Sequence, residues 1–314
     1  MAIPVVDLSD FVSGNSERKS SFVRQIGQAY EAVGFVAVKN HGIPQPLIGD
    51  LYKYVQQFFA MPLEEKKKYE KPGLAGQRGY TSFGKEHAKG SDAPDLKEFF
   101  QYGQTVEDSD AMAKEYPDNV KVNEVPGFDP TLFEAYRAFE KSGRYLLQAI
   151  SLYLGLDEQF FDAQVHKGNS ILRAIHYPPI TQEPKSAIRA EQHEDINLIT
   201  LLVGASADGL QILSRKKEWV AVTSLPDQIV VNVGDMLQRL TNNKLKSTTH
   251  RVVNPPREKW HTSRFSIPFF LHPKGTMSLA CLNSCVDTSH HKHYPDATAG
   301  EYLDERLREI GLKK

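Results

Sequence analysis

The residues best placed for chemistry are His193, Asp195 and His250. The first two stand in His193-Glu194-Asp195, and the third lies downstream in Ser247-Thr-Thr-His-Arg-Val-Val253. On an extended backbone, side chains at i and i+2 point to the same side. Two imidazoles and one carboxylate on one face of a metal leave the opposite positions open. That facial arrangement is diagnostic of non-haem Fe(II) oxygenases. The same donors also suit zinc, which stays open as an alternative. The helical His-Glu-x-x-His pattern of zinc proteases is absent. A lone His-x-Asp arises often by chance, so its meaning depends on the residues downstream.

Fourteen residues after His250 stands Arg264-Phe-Ser266, continuing into Ile-Pro-Phe-Phe270. Arg264 and Ser266 share a face by the same period of two. A guanidinium offers a planar fork to a carboxylate, and an adjacent hydroxyl adds a donor. This pair can fix the distal carboxylate of a keto diacid. Taken alone, Arg264 is equally compatible with a core ion pair or a sheet edge. His-x-Asp, a distal His and Arg-x-Ser in that order, each in a strand-like run, is far harder to obtain by accident.

Positioning these residues requires a β scaffold, and the second half of the chain supplies one. Strand-like runs lie at 171–177, 197–202, 210–213, 219–222, 229–233, 247–253 and 265–271, separated by turn signals. Many short strands at that spacing point to a sandwich or double-sheet barrel. Residues 184–192 read as a polar loop leading into the His193–Asp195 pair. The first half reads differently. Residues 3–8 and 35–38 are short strands. Helical periodicity covers 16–33, 46–60 and a polar stretch from Pro62. The longest helix spans 129–156, with Leu132, Phe133, Tyr136, Phe139, Leu146, Leu147, Ile150 and Leu154 on one apolar face. Residues 73–90 read as a glycine-rich loop, 107–127 as surface, and 298–312 as a closing helix. The expected class is α+β, with helical residues 1–155 and a β core over 156–314 forming one integrated unit.

Composition narrows the function. The 314 residues carry 38 basic and 39 acidic side chains, with no basic block. That argues against a nucleic-acid or anionic-membrane partner. Neither a signal-like start nor a long uncharged apolar run is present. Cys281 and Cys285 are the only cysteines and cannot build a disulfide framework. The expectation is a cytoplasmic protein, monomeric or weakly oligomeric. Cys281, Cys285, His290, His291 and His293 match no zinc spacing and read as a solvated loop. Asp235 reads as a turn residue.

The chain resembles the isopenicillin N synthase-like family of Fe(II)/2-oxoglutarate-dependent dioxygenases nearly end to end. The matching stretches of the first half are Ile3-Pro-Val-Val-Asp-Leu8, Val33-Gly-Phe-Val36, Lys39-Asn-His-Gly-Ile-Pro44, Phe58-Phe59, Pro62-Leu-Glu-Glu-Lys66, Arg78-Gly-Tyr80 and Gly84-Lys-Glu86. Those of the second are His176-Tyr-Pro178, His193-Glu-Asp195, Ile199-Thr-Leu-Leu202, Gly209-Leu-Gln211, Trp219, Val231-Asn-Val-Gly-Asp235, His250-Arg-Val252 and Arg264-Phe-Ser266.

The resemblance implies a distorted double-stranded β-helix (jelly-roll) core flanked by N-terminal helices. It implies iron on His193, Asp195 and His250, and 2-oxoglutarate on Arg264, Ser266 and Tyr177. Many members carry Asn two residues before that Tyr, where this chain has Ile175. The implied reaction consumes O2, hydroxylates a small molecule and releases succinate and CO2. An oxidase of the isopenicillin N synthase type, needing no oxo acid, shares the same residues. A non-catalytic binding protein on the same fold is the other alternative. In the family the glycine-rich loop borders the pocket, which makes Arg78 and Tyr80 candidate substrate contacts. Phe100 and His176 are further candidates, as are Phe99 and Tyr102, with core packing the competing role for each.

Overall fold

The computed structural model describes residues 3–74, 76–86, 94–106, 115–184, 186–223, 225 and 227–309. The first half runs β1 (Val5–Asp7), α1 (Leu8–Phe11), α2 (Ser16–Ala32), β2 (Phe35–Lys39), α3 (Gln45–Phe59), α4 (Leu63–Lys67), β3 (Gly79–Thr81), β4 (Glu98–Gly103) and α5 (Phe128–Tyr153). The second half runs α6 (Asp162–Val165), β5 (Ile171–Tyr177), β6 (Ala190–His193), β7 (Ile199–Val203), β8 (Leu210–Leu213), β9 (Trp219–Ala221), β10 (Gln228–Val233), α7 (Asp235–Leu240), β11 (His250–Val252), β12 (Arg264–Leu271) and α8 (Ala299–Glu309).

Two sheets result. The larger has the order β1-β2-β10-β7-β12-β5-β4-β3, and the smaller β6-β11-β8-β9. Strands from both sides of residue 155 therefore share one sheet, with β2 hydrogen-bonded to β10 and β4 to β5. Side chains alternate across the large sheet. Val36, Val38, Phe100, Tyr102, Leu172, Ala174, Leu201, Val231, Ile267 and Phe269 pack with Phe22, Val55, Phe58, Phe139 and Leu146 of the helices in the main core. Their neighbours in sequence face the small sheet. Phe35, Ala37 and Val230 meet Ile212 at one place, and Phe99, Ile175 and Tyr177 meet Ala190 and Val252 at another. A jelly-roll sandwich covered on its outer face by helices is the outcome expected for strands buried on both sides.

The helices form for ordinary reasons. The Asn15 side chain caps α2 by accepting from the amides of Glu17 and Arg18. Gly34 follows it at φ 75°, the left-handed conformation that ends a helix. The apolar face expected for the long helix is buried in α5 except at Phe133, which is 38% exposed. Its ring lies beside the Arg137 guanidinium at 5.8 Å instead of in the core.

Four expectations need correction. Residues 190–192, expected in a loop, belong with His193 to strand β6, because β11 pairs with it. Within 73–90, Gly79–Thr81 pairs with β4 as strand β3; residues 75 and 87–90 lie outside the described residues. Within 107–127, Val120, Val122 and Val125 are buried, while 107–114 lie outside the described residues. Asp235 opens helix α7 and is buried. Its amide donates to the Asp195 carbonyl at 2.7 Å. Burial pushes its carboxyl up to about 6. The closing helix is α8, and residues 310–312 lie outside the described residues.

Candidate active site

His193 ends β6 and His250 begins β11, and the two are direct cross-strand partners. Asp195 follows two residues after His193. One ligand atom from each lies within 4.8 Å of the others, the single such cluster of three or more His, Cys, Asp or Glu among the described residues. Asp195 Oδ1 is 3.9 Å from His193 Nε2 and 3.7 Å from His250 Nε2. Each ring is oriented through its other nitrogen. His193 Nδ1 lies 2.7 Å from the Glu191 carbonyl and His250 Nδ1 3.1 Å from that of Thr248. A carbonyl can only accept, so Nδ1 carries the proton and Nε2 presents its lone pair. Asp195 is oriented likewise: Oδ2 accepts from Thr200 Oγ1 at 2.6 Å and Asn232 Nδ2 at 2.7 Å, leaving Oδ1 toward the imidazoles.

The electrostatics suit a metal. Desolvation in the cavity, with the adjacent His250, pushes His193 well below the usual imidazole range. Burial alone would raise Asp195. The two histidines and the bonds from Asn232 and Thr200 outweigh it and hold the carboxyl below its usual range. Neutral imidazoles and an ionised carboxylate are the forms that ligate.

The cluster stands between two chambers. The inner one, about 80 Å³, is lined by Ile175, Tyr177, Leu202, Arg264 and Ser266 among others. Arg264 and Tyr177 are cross-strand partners, as are Ser266 and Ile175. Arg264 is 1% exposed, and its guanidinium lies 5.0 Å from the Tyr177 ring centroid. Its Nε donates to the Ala207 carbonyl at 3.0 Å, while Nη1 is buried without a partner. Arg189 lies behind the same ring, 5.9 Å from its centroid, with Nε likewise unpartnered. Burial and the Arg264 charge push Arg189 down to about 10. Of the two guanidiniums only that of Arg264 lines the chamber, and its unpartnered Nη1 fits a carboxylate of the co-substrate.

The outer chamber, about 450 Å³, is bounded by β4, β5, β6 and helix α8. Lys97, Arg173, His193, Asp195 and Phe270 border both chambers. Lys97 Nζ is 2.6 Å from Glu86 Oε2 and 2.8 Å from Asp95 Oδ2. Burial would raise Glu86, but Lys97 and Arg173 outweigh it and hold the carboxyl at about 2. Asp95 Oδ1 also accepts from the Glu191 amide at 3.0 Å, tying this cluster to the strand that carries His193.

The structure does not bring the four substrate candidates into this chamber. His176 and Tyr80 both bond to Glu98, which Lys66 also meets at 2.8 Å, on the helix side of the sheet. Phe100 packs on Phe58 and Phe128. Arg78 is 1% exposed and crosses Gly103 so closely that an added Cβ would sit 1.9 Å from Cζ. The reason is parity. Residues 80, 100 and 176 occupy the strand positions that face the helices, whereas Gln101, Arg173 and Tyr177 occupy those that face the cavity. Of the remaining aromatics, Phe99 faces inward and Tyr102 outward. Residues missed from the sequence include Thr200, Asn232 and Arg173. A polar residue inside an apolar run was the available signal for each. Glu86, Asp95, Lys97 and Arg189 lie outside any such run.

The fold and donor set define a non-haem iron oxygenase, and known proteins agree. Residues 168–273 match the 2OG-Fe(II) oxygenase superfamily, and residues 3–125 match the family described as non-haem dioxygenase in morphine synthesis N-terminal. The chain is 30% identical to a 2-oxoglutarate-Fe(II) type oxidoreductase of Emericella nidulans, covering 100% of this chain and 93% of that one. It is 32% identical to a proline hydroxylase of Petromyces alliaceus, covering 98% and 99%. Among solved structures, a 2OG-Fe(II) oxygenase family protein from Caulobacter crescentus superposes with TM-score 0.89 at 40% identity, covering 98% and 99%. A full-length Neurospora crassa protein solved with alpha-KG gives 0.87 at 29%, covering 98% and 95%. The chain belongs to the 2OG-Fe(II) oxygenase superfamily, and its cofactors are accordingly Fe(II) and 2-oxoglutarate, with O2.

Proposed function

We propose that His193 Nε2, Asp195 Oδ1 and His250 Nε2 hold the iron, and that Arg264, with Ser266 and Tyr177, takes the distal carboxylate of 2-oxoglutarate. The substrate is a small molecule in the outer chamber, and the reaction is its hydroxylation. The observation that carries this reading is the meeting of the three donors at the junction of two chambers, the inner one ending at the orphaned Arg264 Nη1. Iron with its oxo acid supplies the oxidising power: O2 is consumed, the oxo acid becomes succinate and CO2, and one oxygen atom goes to the substrate.

The protein's own contribution is placement. Thr200 and Asn232 hold Asp195, the Glu191 and Thr248 carbonyls hold the imidazoles, and Ile175, Leu202 and Val252 give the inner chamber apolar walls. We infer a cytoplasmic protein, monomeric or weakly oligomeric, that does not act on nucleic acid. Balanced charge and two free cysteines support this. Among the described residues no helix is long and apolar enough to cross a membrane.

The test is an anaerobic titration with Fe(II) and 2-oxoglutarate, followed by a small-molecule screen for succinate release. Wild type is expected to give a visible charge-transfer band. His193→Ala, Asp195→Ala and His250→Ala are expected to fold and to lose it. A full band in any of the three removes that residue from the metal. Turnover with O2 and no oxo acid replaces this reading with the oxidase.

A further inference from the structure

Resting on that reading of the site, we propose that Arg173 selects the substrate. The class it selects is a small uncharged molecule with a carbonyl near the carbon oxidised and an apolar body beyond it.

The guanidinium is fixed. β5 lies between β12 and β4, and the Arg173 Cζ is 5.3 Å from the Phe270 ring on one side and 4.3 Å from the Phe99 ring on the other. Nε donates to Gln101 Oε1 at 2.8 Å and Nη1 to Glu86 Oε1 at 3.2 Å. Gln101 is its cross-strand partner. Among the described residues Nη2 makes no hydrogen bond and is not one of the buried orphans. A rigid donor is therefore left at a residue that borders both chambers beside His193 and Asp195. A ligand acceptor bonded there lies next to the metal ligands, and so does the carbon attached to it.

Charge decides what kind of acceptor. Lys97 and Arg173 are matched by Glu86 and Asp95. Arg306, the remaining cation of the outer chamber, faces Asp235 and Glu309. Glu194 lines the same chamber and is met by the Thr249 hydroxyl. Hydrogen-bonding capacity is left over here, but no unmatched positive charge. A carboxylate would bring a desolvated anion against Glu86, Asp95 and Glu194, a costly placement. An uncharged carbonyl accepts from Nη2 without that cost. The far wall is apolar, formed by Ile196, Leu213, Leu303 and Leu307, which suits a hydrocarbon body.

The probes are hexanamide and hexanoate, matched in length and different in charge. Binding is read by saturation-transfer NMR on the protein loaded with Fe(II) and 2-oxoglutarate without O2. Wild type is expected to bind hexanamide more tightly than hexanoate. Arg173→Met is expected to lose about ten- to a hundredfold in hexanamide affinity, the cost of one hydrogen bond to a charged donor. Arg173→Gln, which keeps an N–H donor, should recover part of it. A melting curve checks the fold, and the visible band reports separately whether the iron and oxo-acid reading stands. Should Arg173→Met not fold, wild type and Arg173→Gln decide. Tighter binding of hexanoate, no binding of hexanamide to wild type, or equal hexanamide binding in every variant overturns the proposal.

Discussion

Replacing Arg264 tests the co-substrate anchor most directly. Its guanidinium is 1% exposed and has one committed bond, from Nε to the Ala207 carbonyl at 3.0 Å. Ala207 is exposed, so water can satisfy that carbonyl when the side chain is removed, and the fold should lose little. The ligand loses more. A hydrogen bond to a charged group contributes about 1.5–3 kcal/mol. At about 1.4 kcal/mol per decade, Arg264→Ala should weaken 2-oxoglutarate roughly ten- to a hundredfold. Leaving the carboxylate buried without its partner deepens the loss. Arg189, behind the same Tyr177 ring, limits it by supplying a second positive charge. Arg264→Lys keeps the charge but not the planar fork and should fall between wild type and alanine. The assay is the anaerobic titration of the visible band against 2-oxoglutarate, with melting curves beside it. An unchanged midpoint in Arg264→Ala would falsify the anchor and make Arg264 structural. A lysine variant weaker than alanine would refute the charge argument.

Thr200→Val removes the 2.6 Å bond to Asp195 Oδ2 at nearly constant shape. It should weaken Fe(II) binding about ten- to a hundredfold, the usual range for a group supporting a ligand; an unchanged Fe(II) dissociation constant counts against that role. Gly234→Ala would put a Cβ 2.2 Å from the Asn197 carbonyl oxygen, two residues beyond Asp195. The turn must shift, and Fe(II) affinity should fall together with the melting temperature; full retention of both means the turn has slack. Glu86 is held at about 2 in the fold against an ordinary 4.5. Its depressed value stabilises the folded state above pH 4.5, and that stabilisation is lost as pH falls from there toward 2. Wild type should therefore melt higher than Glu86→Gln at pH 7, with the two curves converging toward pH 2. A gap that persists or widens in acid contradicts the ion-pair account.

The meeting of His193, Asp195 and His250 and the shared face of Arg264 and Ser266 were legible because their signal is local: residue type at a spacing of two, inside strand-like runs. The β-rich second half and the long helix were legible for the same reason. Strand β6 was not. Ala190-Glu-Gln-His193 lacks alternation, and its strand character comes from β11 across from it, a pairing that spacing alone does not reveal. The substrate candidates went astray at a finer level. Tyr80 is a candidate because its loop borders the pocket in the family, Phe100 and His176 have core packing as the competing role, and all three fall on the helix side. Arg173 could have been placed by counting from Tyr177 in steps of two. Glu86, Asp95 and Lys97 meet one another directly, but only tertiary contact ties them to Arg173 and the Glu191 amide.

Register is what converts these strands into a site. His193 faces His250, Arg264 faces Tyr177, Asn232 faces Thr200 and Gln101 faces Arg173, each pair directly opposite across a ladder. A slip of one residue turns every side chain of a strand to the other face. In β12 it would exchange Arg264 and Ser266 for Phe265 and Ile267, and in β10 it would exchange Asn232 for Val231 or Val233. Apolar residues would then meet the cavity and an arginine would meet the helix core, at the cost of burying its charge unpaired. The helices of the first half prevent this by packing on the intervening positions: Phe139 stacks on Phe269, and Phe59 lies against Phe265 and His176. The proposed metal and co-substrate residues fall between 177 and 266, yet their alternation is fixed from the opposite side of the sheet. The face the chemistry uses is chosen by the face the helices bury, and the match to known oxygenases includes those helices.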